Sequence, residues 1–82
     1  METITLYTKP QCFGCRKTIE KLRAAGIEPN IVDLTTTPAA LEYVTEELGY
    51  AQAPVVVVDD DNHWSGLNPS KIQHVITSYA RS

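Results

Sequence analysis

The chain has 82 residues, of which 43% are hydrophobic and 21% charged, and a formal net charge of −3 at neutral pH. That length suits a single domain spanning residues 1–82, with no room for a second catalytic module. The hydrophobic and charged fractions exclude a disordered chain. The negative balance argues against a nucleic-acid partner, because neutralising phosphates requires a basic face. The longest apolar run, Val55 to Val58, is strand-sized and far short of the roughly 20 residues of a membrane span. Met1 to Thr5 lack the basic and apolar regions of a secretory signal, so the expectation is a cytoplasmic chain without a membrane partner.

Residues 2–7 alternate, with Ile4 and Leu6 on one face and Thr3, Thr5 and Tyr7 on the other, which predicts a strand. From about residue 13 to 25, Cys15, Ile19 and Leu22 recur at helical spacing, and Gly26 supplies a stop. Ile31 to Leu34 predict a second strand. Thr37 before Pro38 reads as a helix cap followed by proline at the first helical position. Leu41, Val44 and Leu48 then form an apolar stripe that ends at Gly49. Pro54 opens the Val55–Val58 run, a strand suited to burial on both faces. Asp59 to Asn62 are turn chemistry, which predicts that His63, Trp64 and Ser65 return as an antiparallel partner. Asn68–Pro69 repeats the cap-then-proline start, and Ile72, Val75, Ile76 and Tyr79 mark a last amphipathic helix. The order β-α-β-α-β-β-α predicts an α/β domain in which helices cover both faces of a small mixed sheet.

Cys12 and Cys15 are the only cysteines, and they stand where the first strand hands over to the first helix. A helix N-terminus offers unpaired N–H groups and partial positive charge, both of which favour a thiolate. Five of the seven basic residues, Lys9, Arg16, Lys17, Lys21 and Arg23, surround this pair. Lys9 and Arg16 are candidate thiolate tuners, with simple solvated surface positions as the alternative. Cys12, near the cap, is expected to be exposed and to ionise below the ordinary thiol value of about 8.5; Cys15 is expected to face the core. The chemistry that follows is thiol–disulfide exchange, with Cys12 as nucleophile and Cys15 as resolving thiol. A structural disulfide fits less well, since cytosolic disulfides are rare and so short a closure gains only about 2 kcal/mol. A zinc site would need two more ligands, and His63 and His74 lack the usual spacing, so no metal is expected. The run Asp59 to Asn62 lacks the ligand pattern of a calcium loop.

The segment Leu6-Tyr7-Thr8-Lys9-Pro10-Gln11-Cys12-Phe13-Gly14-Cys15 resembles the active-site start of glutaredoxin-like proteins of the thioredoxin-fold superfamily. Gln52-Ala53-Pro54-Val55-Val56 and His63-Trp64-Ser65-Gly66-Leu67-Asn68-Pro69 narrow the resemblance to the NrdH-redoxins. The resemblance implies a thioredoxin fold, a four-stranded mixed sheet with three helices, and a cis peptide between Ala53 and Pro54. It also implies that Ala53 and Pro54 bind an extended substrate segment, and that Trp64, Ser65 and Gly66 help form a partner surface. The alternative for Trp64 is a place in the core. Phe13, beside Cys12, is read as an exposed apolar contact for a partner. By resemblance the chain would act as a monomeric electron carrier. Thioredoxin reductase would be its donor and the large subunit of class Ib ribonucleotide reductase its acceptor. No cofactor is expected beyond the redox-active Cys12–Cys15 disulfide; the chain has no Gly-rich dinucleotide fingerprint.

The chain departs from the pattern at Phe13-Gly14, where an apolar residue and glutamine are usual, and at Leu67, where an aromatic residue is common. Gly14 is expected to weaken the first helical turn and loosen the geometry around Cys12. A glutathione-dependent glutaredoxin is the second reading, weakened because Leu67-Asn68 replaces the acidic residue of glutaredoxins. A CxxC redox sensor or binding module without turnover is the third.

Overall fold

A computed structural model describes residues 4–59 and 61–80. The elements are β1 (Thr5–Thr8), α1 (Phe13–Ala24), β2 (Asn30–Asp33), α2 (Pro38–Glu42, continued by a π-helical stretch over Tyr43–Glu47), β3 (Val55–Asp59), β4 (Asn62–Ser65) and α3 (Pro69–Ala80). The sheet order is β2-β1-β3-β4, with β1 and β2 parallel and the other pairs antiparallel. This is the mixed sheet with three helices that the sequence and its resemblance anticipate. The expected first strand began at Glu2, and that residue and Thr3 lie outside the described residues. Asp60, in the β3–β4 turn, lies outside them as well.

Alternation along the central strands builds two apolar layers. Ile4 and Leu6 on β1, Val56 on β3 and Trp64 on β4 pack with Leu22 of α1 and with Ile72 and Val75 of α3. On the opposite face, Val55 packs with Leu34 and with Val44 of the π-helical stretch. Val55 and Val56 are both essentially inaccessible, as expected of neighbours pointing to opposite faces of a covered strand. A bulge follows at Val58, where the pairing steps from Val57↔His63 to Asp59↔Asn62.

The helix ends follow their sequence signals. Gly26, at φ 82°, closes α1: its amide donates to the Arg23 carbonyl and the Ile27 amide reaches back to Leu22. These bonds form a Schellman motif, whose left-handed residue is best supplied by glycine. Asn68 caps α3 through its side-chain oxygen, which accepts the Lys71 amide at 3.1 Å. Thr37 occupies the cap position of α2, but its hydroxyl makes no cap bond.

The second helix is the main difference from expectation. Instead of one α-helix to Leu48, it widens after Glu42, and the Leu48 amide donates to Tyr43, five residues back. Thr45 supplies a local reason, because its hydroxyl bonds back to the Leu41 carbonyl at 2.8 Å. The stripe is consequently split: Val44 is buried, Leu48 half-buried and Leu41 46% exposed.

Leu6 is wholly buried between α1, α3 and β4. Leu6→Ala is expected to lower the unfolding free energy in urea by about 2–5 kcal/mol without changing the fold. A loss below about 1 kcal/mol would contradict this account of the core.

Candidate functional site

Four strands place one loop and one helix end side by side. The chain leaves β1 at Thr8 and turns through Gln11, whose φ of 57° puts it in the left-handed region. It then enters α1 with Cys12 as the cap residue. Cys12 is extended (φ −103°, ψ 107°), so its sulfur folds back over the first turn and accepts the Cys15 amide at 3.1 Å. The helix thus gives an otherwise unpaired N–H to the sulfur. Cys12 and Cys15 are joined as a disulfide, with their Cα atoms 5.2 Å apart.

The expected contrast in exposure is small: Cys12 is 8% and Cys15 3% exposed. Cys12 is therefore not the freely exposed residue expected from its position. The fold of its side chain onto the helix end explains this, since the sulfur lies along the turn rather than out in solvent. Cys15 joins Leu22 and the fully buried Thr18 on the inner face of α1. The Thr18 hydroxyl donates to the Gly14 carbonyl at 2.8 Å, a positioning contact that the sequence reading missed.

Facing the cysteines is the segment leading to β3. The Ala53–Pro54 peptide is cis, as the resemblance implies, and Pro54 is buried. The Pro54 carbonyl accepts the Gly66 amide at 2.7 Å, and the Ser65 hydroxyl donates to the Gln52 carbonyl at 2.9 Å. Ser65 and Gly66 therefore brace this segment from β4. Among the described residues the Ala53 backbone makes no hydrogen bond, which leaves an amide and a carbonyl free to pair with an extended segment.

The remaining candidates divide. Phe13 is 67% exposed beside Cys12, and the Lys17 ammonium stands 5.7 Å from its ring centre. Trp64 is 5% exposed and belongs to the core, which corrects its reading as a partner contact. It faces α3 because it shares the side of the sheet that carries Leu6 and Val56, and Lys71 covers its ring at 5.8 Å. Its indole N–H has no partner among the described residues. Lys9 and Arg16 are exposed, and neither side chain makes an ion pair among the described residues.

One feature escaped the sequence entirely. A groove of about 190 Å³ runs beside Ala53, lined by Lys9, Leu34, Leu41, Val44 and Tyr50. It opens beside the half-exposed Leu41, just before the π-helical stretch, and no periodicity rule foresees that. Tyr50 forms its wall by reaching across to β4, where its hydroxyl lies 2.8 Å from His63 Nδ1 and 3.3 Å from the His63 carbonyl. Burial, and then the neighbouring Tyr43, push the Tyr7 hydroxyl up from its ordinary value. At the end of β2, the hydroxyl and amide of Thr35 hold the exposed Asp33 carboxyl below its ordinary value. Among the described residues no group of three or more His, Cys, Asp or Glu could hold a metal, and no helix is long and apolar enough to cross a membrane.

The chain is similar to known proteins along most of its length. The family model Glutaredoxin matches residues 4–64. The Gene 56 protein of Mycobacterium phage L5 is 38% identical over 79 residues, covering 96% of this chain and 77% of that protein. The glutaredoxin-like protein NrdH of Salmonella typhimurium is 32% identical, covering 89% of this chain and 88% of that protein. Among solved structures, the glutaredoxin-like NrdH-redoxin from Escherichia coli superposes with a TM-score of 0.81 at 30% identity, covering 89% of this chain and 93% of that one.

Tyr50→Phe keeps the ring contact with His63 and removes only the hydroxyl. The expected cost in urea unfolding is about 1 kcal/mol, with faster exchange of the amide of residue 50, which donates to the Val44 carbonyl at 3.0 Å. Unchanged exchange there would show that Tyr50 does not brace the segment.

Proposed function

The chain belongs to the glutaredoxin family and is a thiol–disulfide oxidoreductase with a CxxC pair, and from that premise we propose that it is an electron carrier of the NrdH-redoxin kind. The observation that carries this reading is the Cys15 amide pointing at the Cys12 sulfur, next to the unpaired backbone of Ala53.

In the reduced protein, Cys12 attacks a partner disulfide as a thiolate. A Cys12–partner S–S bond forms, the partner's own S–S bond breaks, and the first partner thiolate leaves and takes up a proton. Cys15 then gives up its proton and attacks the Cys12 sulfur. This forms the Cys12–Cys15 disulfide and releases the second partner thiolate, which is protonated in turn. Two electrons pass to the partner, whose two thiolates take up the proton released by Cys15 and one from solvent, the counterpart of the proton Cys12 lost on ionising. The oxidised carrier must then be re-reduced. The helix N-terminus favours the ionised Cys12, so the first attack needs no separate general base. Lys9 and Arg16 add positive charge to the same end of the molecule, and Phe13 presents apolar surface to the arriving partner.

The donor in this reading is thioredoxin reductase, and the acceptor is the large subunit of class Ib ribonucleotide reductase. The E. coli NrdH-redoxin has a thioredoxin-like activity profile, and the proposal extends that profile to this chain. The state of Asn68 supports a donor other than glutathione. A glutaredoxin would offer an acid near this turn, whereas the Asn68 side chain is already engaged in capping α3. The groove beside Ala53, with Lys9 on its rim, keeps glutathione as a second reading.

One assay separates them. Disulfide reduction followed by NADPH consumption is expected to proceed with a bacterial thioredoxin reductase and not with glutathione plus glutathione reductase. Turnover with glutathione alone would establish a divergent glutaredoxin instead. Cys12→Ser is expected to abolish turnover, and Cys15→Ser to accumulate a covalent mixed disulfide with the acceptor. If Cys15→Ser captures no acceptor, the assigned roles fail.

A further inference from the structure

The two departures from the family pattern, Gly14 and Leu67, meet in space. A Cβ on Gly14 would lie 3.1 Å from Pro54 Cδ and 3.4 Å from Leu67 Cβ. The first distance is tighter than ordinary van der Waals contact, so residue 14 faces a filled seam between the first turn of α1 and the substrate-facing segment. Glycine is not needed here for its backbone, because Gly14 is helical and has no positive φ. It is needed for the space.

Both walls of the seam are tied, so a side chain at residue 14 would displace them by only a few tenths of an ångström. The Gly14 carbonyl is fixed by the hydroxyl of Thr18, which is fully buried. The Pro54 carbonyl is fixed by the Gly66 amide at 2.7 Å. The stretch Ala51 to Ala53 lies outside the sheet and is itself tied at Gln52 by the Ser65 hydroxyl. The missing side chain leaves room for Pro54 to lie close against the cysteine turn.

We infer that Gly14 is a specificity-determining positioning residue: together with Leu67 it sets how closely the Ala53–Pro54 segment lies against the Cys12–Cys15 turn, and so how well an extended protein disulfide is presented to Cys12. Gly14 touches neither substrate nor reacting atoms; it acts through Pro54. The inference rests on the proposed pairing of substrate backbone with Ala53. A small disulfide without a peptide segment makes no use of that pairing and is indifferent to the seam.

The test uses the full-length, pre-reduced chain and its Gly14→Ala variant. Each is mixed with insulin, as a protein disulfide, or with 2-hydroxyethyl disulfide, and thiol loss is followed by rapid alkylation. Shifting a reacting group by a few tenths of an ångström is expected to slow the insulin reaction about tenfold. The rate with 2-hydroxyethyl disulfide should stay within about twofold of the parent chain. The exchange equilibrium with glutathione should stay within about threefold, which separates positioning from a changed redox potential. Leu67→Ile reaches the same seam from an exposed side chain that does not endanger folding. Its added branch at Cβ is expected to slow insulin about threefold. Equal slowing with both disulfides, a shifted equilibrium that accounts for the rates, or unchanged insulin rates in both variants would overturn the inference. If the parent chain shows no preference for insulin over the small disulfide, the pairing at Ala53 itself fails, and the parent rates alone reveal that.

Discussion

The Cys15 amide, 3.1 Å from the Cys12 sulfur, does two things that normally fall to different residues. It satisfies one of the unpaired donors at the start of α1, and it places a dipole against the atom that carries negative charge in the proposed mechanism. Serine, threonine, asparagine and aspartate are the usual caps because they offer an oxygen to such an amide. Here a sulfur takes that position, so the electrostatics that begin the helix also act on the sulfur proposed as the nucleophile.

Much of the remaining structure holds a second element beside that sulfur. Pro54 is buried against the first turn of α1, and Gly66 and Ser65 tie its segment to β4. β4 is in turn fixed by Trp64, whose ring belongs to the same core as Leu6 of β1 and Ile72 of α3. The apolar layer under α1 and α3 therefore sets the separation between cysteine turn and proline segment. Trp64 supports the site from the core, and Thr18 holds the other wall through Gly14. The opposite layer, around Val44 and Val55, supports the groove beside Ala53.

What was legible in the sequence follows from how local each signal is. Alternation at Ile4 and Leu6, the proline-marked helix starts at Pro38 and Pro69, and the stop at Gly26 are short-range, and all appear in the structure. The cysteine pair was legible because its meaning depends only on standing between a strand and a helix. The widening of the second helix was not, because it depends on one hydroxyl bonding back from Thr45 rather than on the apolar period. The burial of Cys12 and the seam at Gly14 were hidden, and the choice between core and surface for Trp64 was left open, for a related reason. Each depends on which residues from distant parts of the chain arrive at the same place, and periodicity carries no distance between Gly14 and Leu67.

The most direct test of this account is a thiolate titration of Cys12. In the Cys15→Ser variant only one thiol remains, and the backbone amide that faces it is kept. Ultraviolet absorbance of the thiolate, followed against pH, reports its ionisation. The account predicts a midpoint well below the ordinary thiol value of about 8.5, because the helix N-terminus stabilises the charged form. A midpoint at or above that value would mean that burial outweighs the amide and the helix dipole, and would contradict the proposed role of the cap.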